Sequence, residues 1–313
     1  MLELDVPGEA PLPARAALNP ATAALVADVR RALEALPAHF ETEVRISGMP
    51  LQDLFTLNSG LGATIERETV RTLNDLRAIW DPTRSYDGFR FVRYSESFPD
   101  VRLEGVRDGV VTTLLGIELK GWFILSKEGE PSFRYTISRA CCADADLLCV
   151  VPWYLDGAID GTPQVLSPFV ESARYVADVR NYWWQHVRRG RGGSVDINPP
   201  PGEPHPYPKT KKHSNDRPVS DGGNNFGRIA RVGTVAKVGL LDDYVTSALA
   251  TELAGVPASH WLQFLLAITE SGTDTELARR LQALRSTEHP RADRKDIVDR
   301  VLEALIGDED ERE

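Results

Sequence analysis

Two short segments of the chain place acidic residues where neighbouring β-strands would bring them together. The first is Pro99-Asp100, and the second, after a gap of 17 residues, is Glu118-Leu119-Lys120. Alternate residues of a strand point to the same side, so Glu118 and Lys120 share one face of a sheet. If the two segments pair as a hairpin, Asp100 lies beside Glu118. Adjacent carboxylates repel unless a cation lies between them, and hard oxygen ligands select Mg²⁺ or Mn²⁺.

A divalent cation at such a position suits the hydrolysis of a phosphodiester. It polarises the phosphate and offsets the charge on the leaving oxygen. Lys120 would orient the attacking water and stabilise the transition state electrostatically. The pattern therefore predicts Asp100, Glu118 and Lys120 as catalytic residues, with Asp100, Glu118 and the Leu119 carbonyl oxygen as metal ligands.

This arrangement resembles the PD-(D/E)xK nucleases, and among them the type II restriction endonucleases. The resemblance is based on Pro99-Asp100, Glu118-Leu119-Lys120 and the apolar strand predicted at 147–151, and it covers roughly residues 60–155. It implies an α/β fold with a restriction-endonuclease-like αβββαβ core, a mixed central sheet and helical N- and C-terminal additions. It also implies Mg²⁺ with Mn²⁺ as a substitute, double-stranded DNA as substrate, a homodimer and a cognate DNA methyltransferase as system partner in host defence.

The motif is short, so its context decides how much it indicates. The chain has seven lysines, and only Lys120 and Lys295 follow an acidic residue by two positions. Lys295 lies in a polar segment with no Pro-Asp upstream at a suitable distance. The alternatives for Glu118 and Lys120 are a solvated strand end without a catalytic role, or another metal-dependent chemistry. Alternative functions on the same core are a modification-dependent or repair nuclease, and a non-catalytic DNA-binding subunit of a defence complex.

A glutamate from the helix before the sheet often completes the metal site in the family that the chain resembles. Glu66 and Glu68 are the candidates here. Their sequence context predicts a helix that begins at Thr64, so both would lie in its first turn. Acidic residues in that position also stabilise a helix through its dipole, without any role in catalysis.

The elements that must position these residues follow from the hydrophobic pattern. Helical spacing predicts helices over 15–37 and 64–80, and alternation predicts strands at 89–94 and 101–103. A turn at 107–109 leads into an apolar run at 110–125, a short helical or loop crossing at 138–145, and a helix over 169–189. Residues 1–190 are therefore the predicted nuclease core, and residues 240–313 are predicted to form a helical region with an acidic tail. The helices predicted in that region are at 241–254, 258–270, 274–286 and 291–306. An apolar stretch there, with Trp261, Phe264 and Leu265, suits either dimerisation or packing within one chain.

Residues 191–239 form a basic, Gly- and Pro-rich segment predicted to contact DNA. Between residues 174 and 231 there are eleven basic and five acidic residues, whereas the whole chain has a net charge of −10. Arginine, asparagine and lysine contact phosphates and base edges, and glycine lets the backbone approach a phosphate. The predicted DNA-binding residues are Lys209, Lys211, Lys212, Asn224, Asn225, Arg228 and Arg231. A solvated loop and a Gly-rich turn remain as alternatives.

The composition of the chain indicates its class of protein and its cellular compartment. The chain of 313 residues has 42% hydrophobic and 26% charged residues, values of a globular protein. The start shows no secretory signal, and no apolar window is long enough to span a membrane, so a cytoplasmic protein is expected. The three cysteines lack a CxxC spacing for zinc, which favours reduced, buried thiols. The net acidity does not exclude DNA, because the charge is segregated along the chain.

Overall fold

A mixed six-stranded sheet with helices around it forms the centre of the protein. The structure, a computed structural model, describes residues 12–94, 97–131, 133–187, 206–207, 227–232, 239–285 and 297–310. The sheet strands are β1 Phe89–Arg93, β2 Val101–Arg107, β3 Val110–Phe123, β4 Leu147–Leu155, β5 Pro163–Val165 and β6 Phe169–Ser172. The order is β1-β2-β3-β4-β5, with β6 also on β4. All neighbours are antiparallel except β3 and β4, which are parallel.

The hairpin of β2 and β3 is closed by the turn at Asp108-Gly109. Both residues have positive φ angles, 51° and 76°, as a two-residue turn that matches the strand twist requires. The turn pairs Arg107 with Val110, and an irregularity between Leu103 and Glu104 then shifts the register by one residue, so that Val101 pairs with Ile117. The predicted turn and the predicted pairing of these strands are confirmed.

Four helices precede the sheet: α1 Pro20–Glu34, α2 Leu36–His39, α3 Leu57–Asp75 and α4 Arg77–Trp80, with a 3₁₀ helix at Leu51–Thr56. Helix α1 begins later than predicted, at Pro20, because the Asn19 side chain accepts a hydrogen bond from the N–H of Thr22 and caps it. Helix α3 packs against β1 and β3 through buried residues that include Ile65 and Leu73. It begins at Leu57, well before the predicted start at Thr64.

Strand β4 lies in the interior, as its apolar sequence predicts, since eight of its nine residues are buried. The connection from β3 to β4 holds a 3₁₀ helix, Arg139–Cys141, and the remaining described residues of it form no helix. The second helix of the expected αβββαβ core is therefore not present as an α-helix in the described part of this connection. Cys141, Cys142 and Cys149 are buried thiols that form no disulfide bond, as predicted.

The region predicted as one helix over 169–189 was predicted wrongly at its start. Residues Phe169–Ser172 form β6 on the edge of β4, and helix α5, Ala173–Tyr182, begins only afterwards and continues as a π-helical turn at Trp183–Val187. The Ser172 hydroxyl accepts a hydrogen bond from the N–H of Tyr175 and caps α5. Val176 and Ala177 of α5 pack in a second core with Tyr135 and Leu148.

The C-terminal region contains helices α6 Asp242–Leu249, α7 Ala258–Thr269, α8 Asp274–Arg285 and α9 Ile297–Asp310. The helix predicted at 241–254 ends early, because β7 Glu252–Leu253 and β8 Val256–Pro257 form a small hairpin. Trp261, Phe264 and Leu265 are buried within the chain, where α7 packs against α8, α9 and the 3₁₀ helix at Leu51–Thr56. Packing within one chain therefore accounts for this apolar stretch.

Candidate active site

The β2–β3 register places Asp100 next to Glu118. Val101 pairs with Ile117 at the start of β2, so Asp100, one residue before, lies opposite Glu118, one residue after. The N–H of Leu119 donates a hydrogen bond to Oδ2 of Asp100 at 3.1 Å, which holds the aspartate against β3. The strand pairing thus brings together the two carboxylates that the sequence predicts as neighbours.

Lys120 bridges the two carboxylates. Its Nζ lies 2.9 Å from Oε1 of Glu118 and 3.2 Å from Oδ2 of Asp100. Burial lowers the pKa of Lys120, but the charges of Glu118 and Asp100 outweigh it and raise the pKa above its ordinary value. The lysine therefore carries a positive charge beside two acids.

The side chain of Glu118 is more deeply buried than those of Asp100 and Lys120. Its side chain is 9% exposed, compared with 21% for Asp100 and 22% for Lys120. Burial raises the pKa of Glu118 to about 7; the ammonium of Lys120 opposes this rise, and the Asp100 carboxylate adds to it. Oε2 of Glu118 is buried and has no hydrogen-bond partner among the residues that the structure describes. A proton or a cation would satisfy this oxygen, and the carboxylates of Asp100 and Glu118 are the kind of ligand that Mg²⁺ prefers.

Helix α3 contributes Glu66 to the surroundings of this pair. Burial raises the pKa of Glu66, its hydrogen bond from Arg93 (3.0 Å) opposes the rise, and the nearby charges of Asp100 and Lys120 also act on it. Glu66 therefore lies within electrostatic reach of the site, in the middle of α3 rather than in a first turn. Glu68, by contrast, forms ion pairs with Arg67 and Arg71 at 3.2 Å and 2.8 Å.

Two carboxylates, those of Asp100 and Glu118, are the candidate side-chain ligands for a metal ion at this site. In the described ranges, no three His, Cys, Asp or Glu side chains are grouped closely enough to hold a metal ion. Glu66, held by Arg93, is therefore near the pair without completing a ligand cluster with it. For a cation at Asp100 and Glu118, the remaining ligands would come from the backbone, water or substrate, as is usual for Mg²⁺.

Asp146, a buried aspartate that the sequence analysis did not predict, holds the strand that carries Glu118. Asp146 is fully buried and accepts hydrogen bonds from the N–H groups of Gly116 and Ala143, both at 2.7 Å, and from the Tyr207 hydroxyl. Gly116 lies two residues before Glu118 on β3. The position of Asp146 directly before the apolar run of β4 is a weak signal in the sequence, because Asp144 lies only two residues earlier.

A cavity of about 180 Å³ opens beside the carboxylates. It is lined by Ser97, Phe98, Asp100, Glu118, Arg134, Thr136 and Ile137. Arg134 and Thr136 come from the extended part of the β3–β4 connection, and the sequence analysis did not single them out. Hydroxyl groups, one guanidinium side chain and two acids around a small cavity suit a charged, oxygen-rich ligand.

The predicted DNA-binding residues fall mostly outside the described part of the chain. Lys209, Lys211, Lys212, Asn224 and Asn225 are not among the described residues, and of Arg231 only the backbone is described, in the 3₁₀ helix Ile229–Arg231. Arg228 is described, and it pairs with Arg134 in an antiparallel β-bridge. The end of the basic segment therefore lies beside the cavity.

Comparison of the chain with models of protein families, with curated proteins and with solved structures gave no match. Of the helices in the described ranges, none has the length and apolar character needed to cross a membrane.

Proposed function

We propose that this protein is a Mg²⁺-dependent endodeoxyribonuclease that hydrolyses phosphodiester bonds of double-stranded DNA, as a type II restriction endonuclease does. The observation that carries this proposal is the contact of one lysine with two acids from neighbouring strands beside a polar cavity. Lys120 Nζ lies 2.9 Å from Glu118 and 3.2 Å from Asp100, and the cavity is lined by both acids.

The roles follow from the chemistry of the three side chains. Asp100 and Glu118 would hold Mg²⁺, for which Mn²⁺ can substitute, with the Leu119 carbonyl as a further oxygen ligand. The bound ion supplies positive charge that polarises the phosphate and offsets charge on the leaving oxygen. Lys120 orients the attacking water and stabilises the negative charge that develops on the phosphate. Glu66, which Arg93 holds on α3, would add negative potential near such an ion.

The sheet supports the assignment to the PD-(D/E)xK nucleases. Helix α3 precedes three antiparallel strands, β1 to β3, and β4 then returns parallel to β3. This order supports an αβββαβ core in which a 3₁₀ helix, Arg139–Cys141, takes the place of the second α-helix. Cutting both strands of a duplex requires two active sites, so we expect a homodimer. A restriction function would place the protein in the cytoplasm, with a cognate DNA methyltransferase as system partner.

The test is incubation of the purified protein with unmodified plasmid and phage DNA, with Mg²⁺ or with EDTA. Discrete fragments with Mg²⁺, and none with EDTA or with Asp100→Asn, are the expected result. The matched control is Asp108→Asn, which changes an acid at the hairpin turn, where asparagine also accepts a positive φ. Cleavage by Asp100→Asn at the wild-type rate would exclude the site.

Two other outcomes would redirect the proposal. Cleavage of methylated DNA alone would indicate a modification-dependent nuclease with the same catalytic residues. Salt-dependent duplex binding without cleavage under any of these conditions would indicate a non-catalytic DNA-binding subunit.

A further inference from the structure

Two arginines lie directly opposite each other where the basic segment meets the β3–β4 connection. Arg134 and Arg228 are the partners of an antiparallel β-bridge, and the N–H of Tyr135 donates to the carbonyl of Gly227 at 2.6 Å. Residues directly opposite in an antiparallel pair project their side chains to the same side, with Cβ atoms about 5 Å apart. The bridge therefore brings two positive side chains together.

The cavity lining shows which side they occupy. Arg134 and Thr136 both line the cavity, whereas Tyr135 between them is buried in the second core. This alternation along an extended segment places Arg134 on the cavity side. Arg228, directly opposite Arg134 in the bridge, projects its side chain to the same side as Arg134.

Two arginine side chains on the same side of a β-bridge can bind one phosphate group together. The Nε of Arg228 is also buried, and the described residues offer it no hydrogen-bond partner. A phosphate between the two guanidinium groups would accept charge-assisted hydrogen bonds from both, including one from the Nε of Arg228.

Gly227 allows the two segments of the bridge to approach each other closely. Its φ is +80°, and a Cβ there would lie 2.9 Å from the Tyr135 carbonyl oxygen. Any other residue would push the segment that holds Arg228 away from the segment that holds Arg134. The glycine therefore fixes the distance between the two arginines.

We propose that Arg134 and Arg228 form a clamp that binds one backbone phosphate of the DNA strand to be cut, beside the cavity of Asp100 and Glu118. The clamp rests on the proposed nuclease function and adds a binding residue, Arg134, to it. A contact with a non-reacting phosphate is the same in the ground state and the transition state. Loss of the clamp should therefore raise KM and leave kcat nearly unchanged.

The experiment measures duplex binding by fluorescence anisotropy in EDTA over a range of KCl concentrations, and cleavage kinetics in Mg²⁺. Arg134→Ala and Arg228→Ala should each weaken binding about tenfold and reduce the slope of log K against log salt by about one. The double variant should lose less than the product of the two single losses, because both arginines grip one phosphate. The matched control is Arg139→Ala, an exposed arginine of the same connection that pairs with Asp178 at 3.5 Å.

The outcomes separate the clamp from the nuclease proposal. Wild-type affinity and slope in both variants, while the wild-type protein binds and cuts DNA, would exclude the clamp alone. An equal loss in Arg139→Ala would show a general charge effect and exclude it too. If the wild-type protein neither binds nor cuts duplex DNA, the clamp and the nuclease function are both wrong.

Discussion

Pro99 packs directly on Gly116, in the space where any other residue would carry its side chain. A Cβ built on Gly116 would lie 2.2 Å from Cγ of Pro99 and 2.9 Å from its Cβ. Pro99 precedes Asp100, and Gly116 lies two residues before Glu118. The absence of a side chain on one strand therefore lets the other strand bring its carboxylate into the site.

Gly116→Ala should accordingly damage the site more than the fold. The new methyl group must displace Pro99 and with it Asp100, and a misplacement of about 1 Å costs on the order of 100-fold in rate. We expect a loss of about 1–3 kcal/mol in the free energy of unfolding, as overpacking usually costs. Urea denaturation and single-turnover cleavage measure the two effects.

The control for this substitution lies on the same strand. A Cβ on Gly121 would have its nearest neighbour at 3.6 Å, an ordinary contact. Gly121→Ala should therefore keep the Asp100–Glu118 geometry and most of the cleavage rate. Equal rates for the two variants would show that the contact between Pro99 and Gly116 does not position Asp100.

The buried carboxyl of Asp146 should make stability depend on pH. Burial raises its pKa to about 6 from an ordinary value of 3.8, although its three hydrogen bonds oppose the rise. The folded protein thus binds this proton more tightly than the unfolded chain does. The stabilising contribution is complete below about pH 4 and is lost as the pH rises through 6.

The comparison with Asp146→Asn isolates this contribution. The free energy of unfolding of the wild-type protein minus that of the variant should fall by about 2–3 kcal/mol between pH 4 and pH 7. Urea denaturation of both proteins across this range measures it. An advantage that stays constant, or grows with pH, would contradict the raised pKa.

Lys120 should also matter for stability in the absence of a metal ion. Lys120→Met leaves the carboxylates of Asp100 and Glu118 side by side without a cation. Breaking a fully buried pair costs about 3–5 kcal/mol, and we expect the lower end here because Lys120 and Asp100 are 22% and 21% exposed. Adding Glu118→Gln should restore part of the loss, because it removes one of the two acids. Denaturation in EDTA tests this, and a double variant less stable than Lys120→Met would contradict it.

The site was predictable from sequence to the extent that it depends on strand pairing. Asp108-Gly109 indicates the hairpin turn, which pairs Arg107 with Val110. That register alone would place Asp100 opposite Ile117. The irregularity between Leu103 and Glu104, which the sequence did not indicate, shifts the pairing by one residue and brings Asp100 opposite Glu118. The supports of the pair were not predictable, because the contact of Gly116 with Pro99 and the hydrogen bonds of Asp146 depend on how the loops pack around the sheet.

The errors in the fold have similar physical causes. Phe169–Ser172 is compatible with a strand or a helix, and its pairing with β4 decides for the strand. The helix predicted over 241–254 ends at Leu249 because Ala254 and Gly255, with φ of 46° and 75°, form the turn of a small hairpin. Helix α3 extends back to Leu57 through two glycines, Gly60 and Gly62, that discourage a helical prediction.

The most direct test is single-turnover cleavage of duplex DNA by Lys120→Ala and Lys127→Ala in Mg²⁺. Both variants lose one lysine of the same segment, but Lys120 contacts Asp100 and Glu118, whereas Lys127 pairs with Glu270 at 3.0 Å. We expect the cleavage rate of Lys120→Ala to fall by a factor on the order of 1,000, because the variant loses an electrostatic stabiliser of the transition state. The rate of Lys127→Ala should stay at the wild-type value. Wild-type cleavage by Lys120→Ala would contradict the nuclease site at Asp100, Glu118 and Lys120.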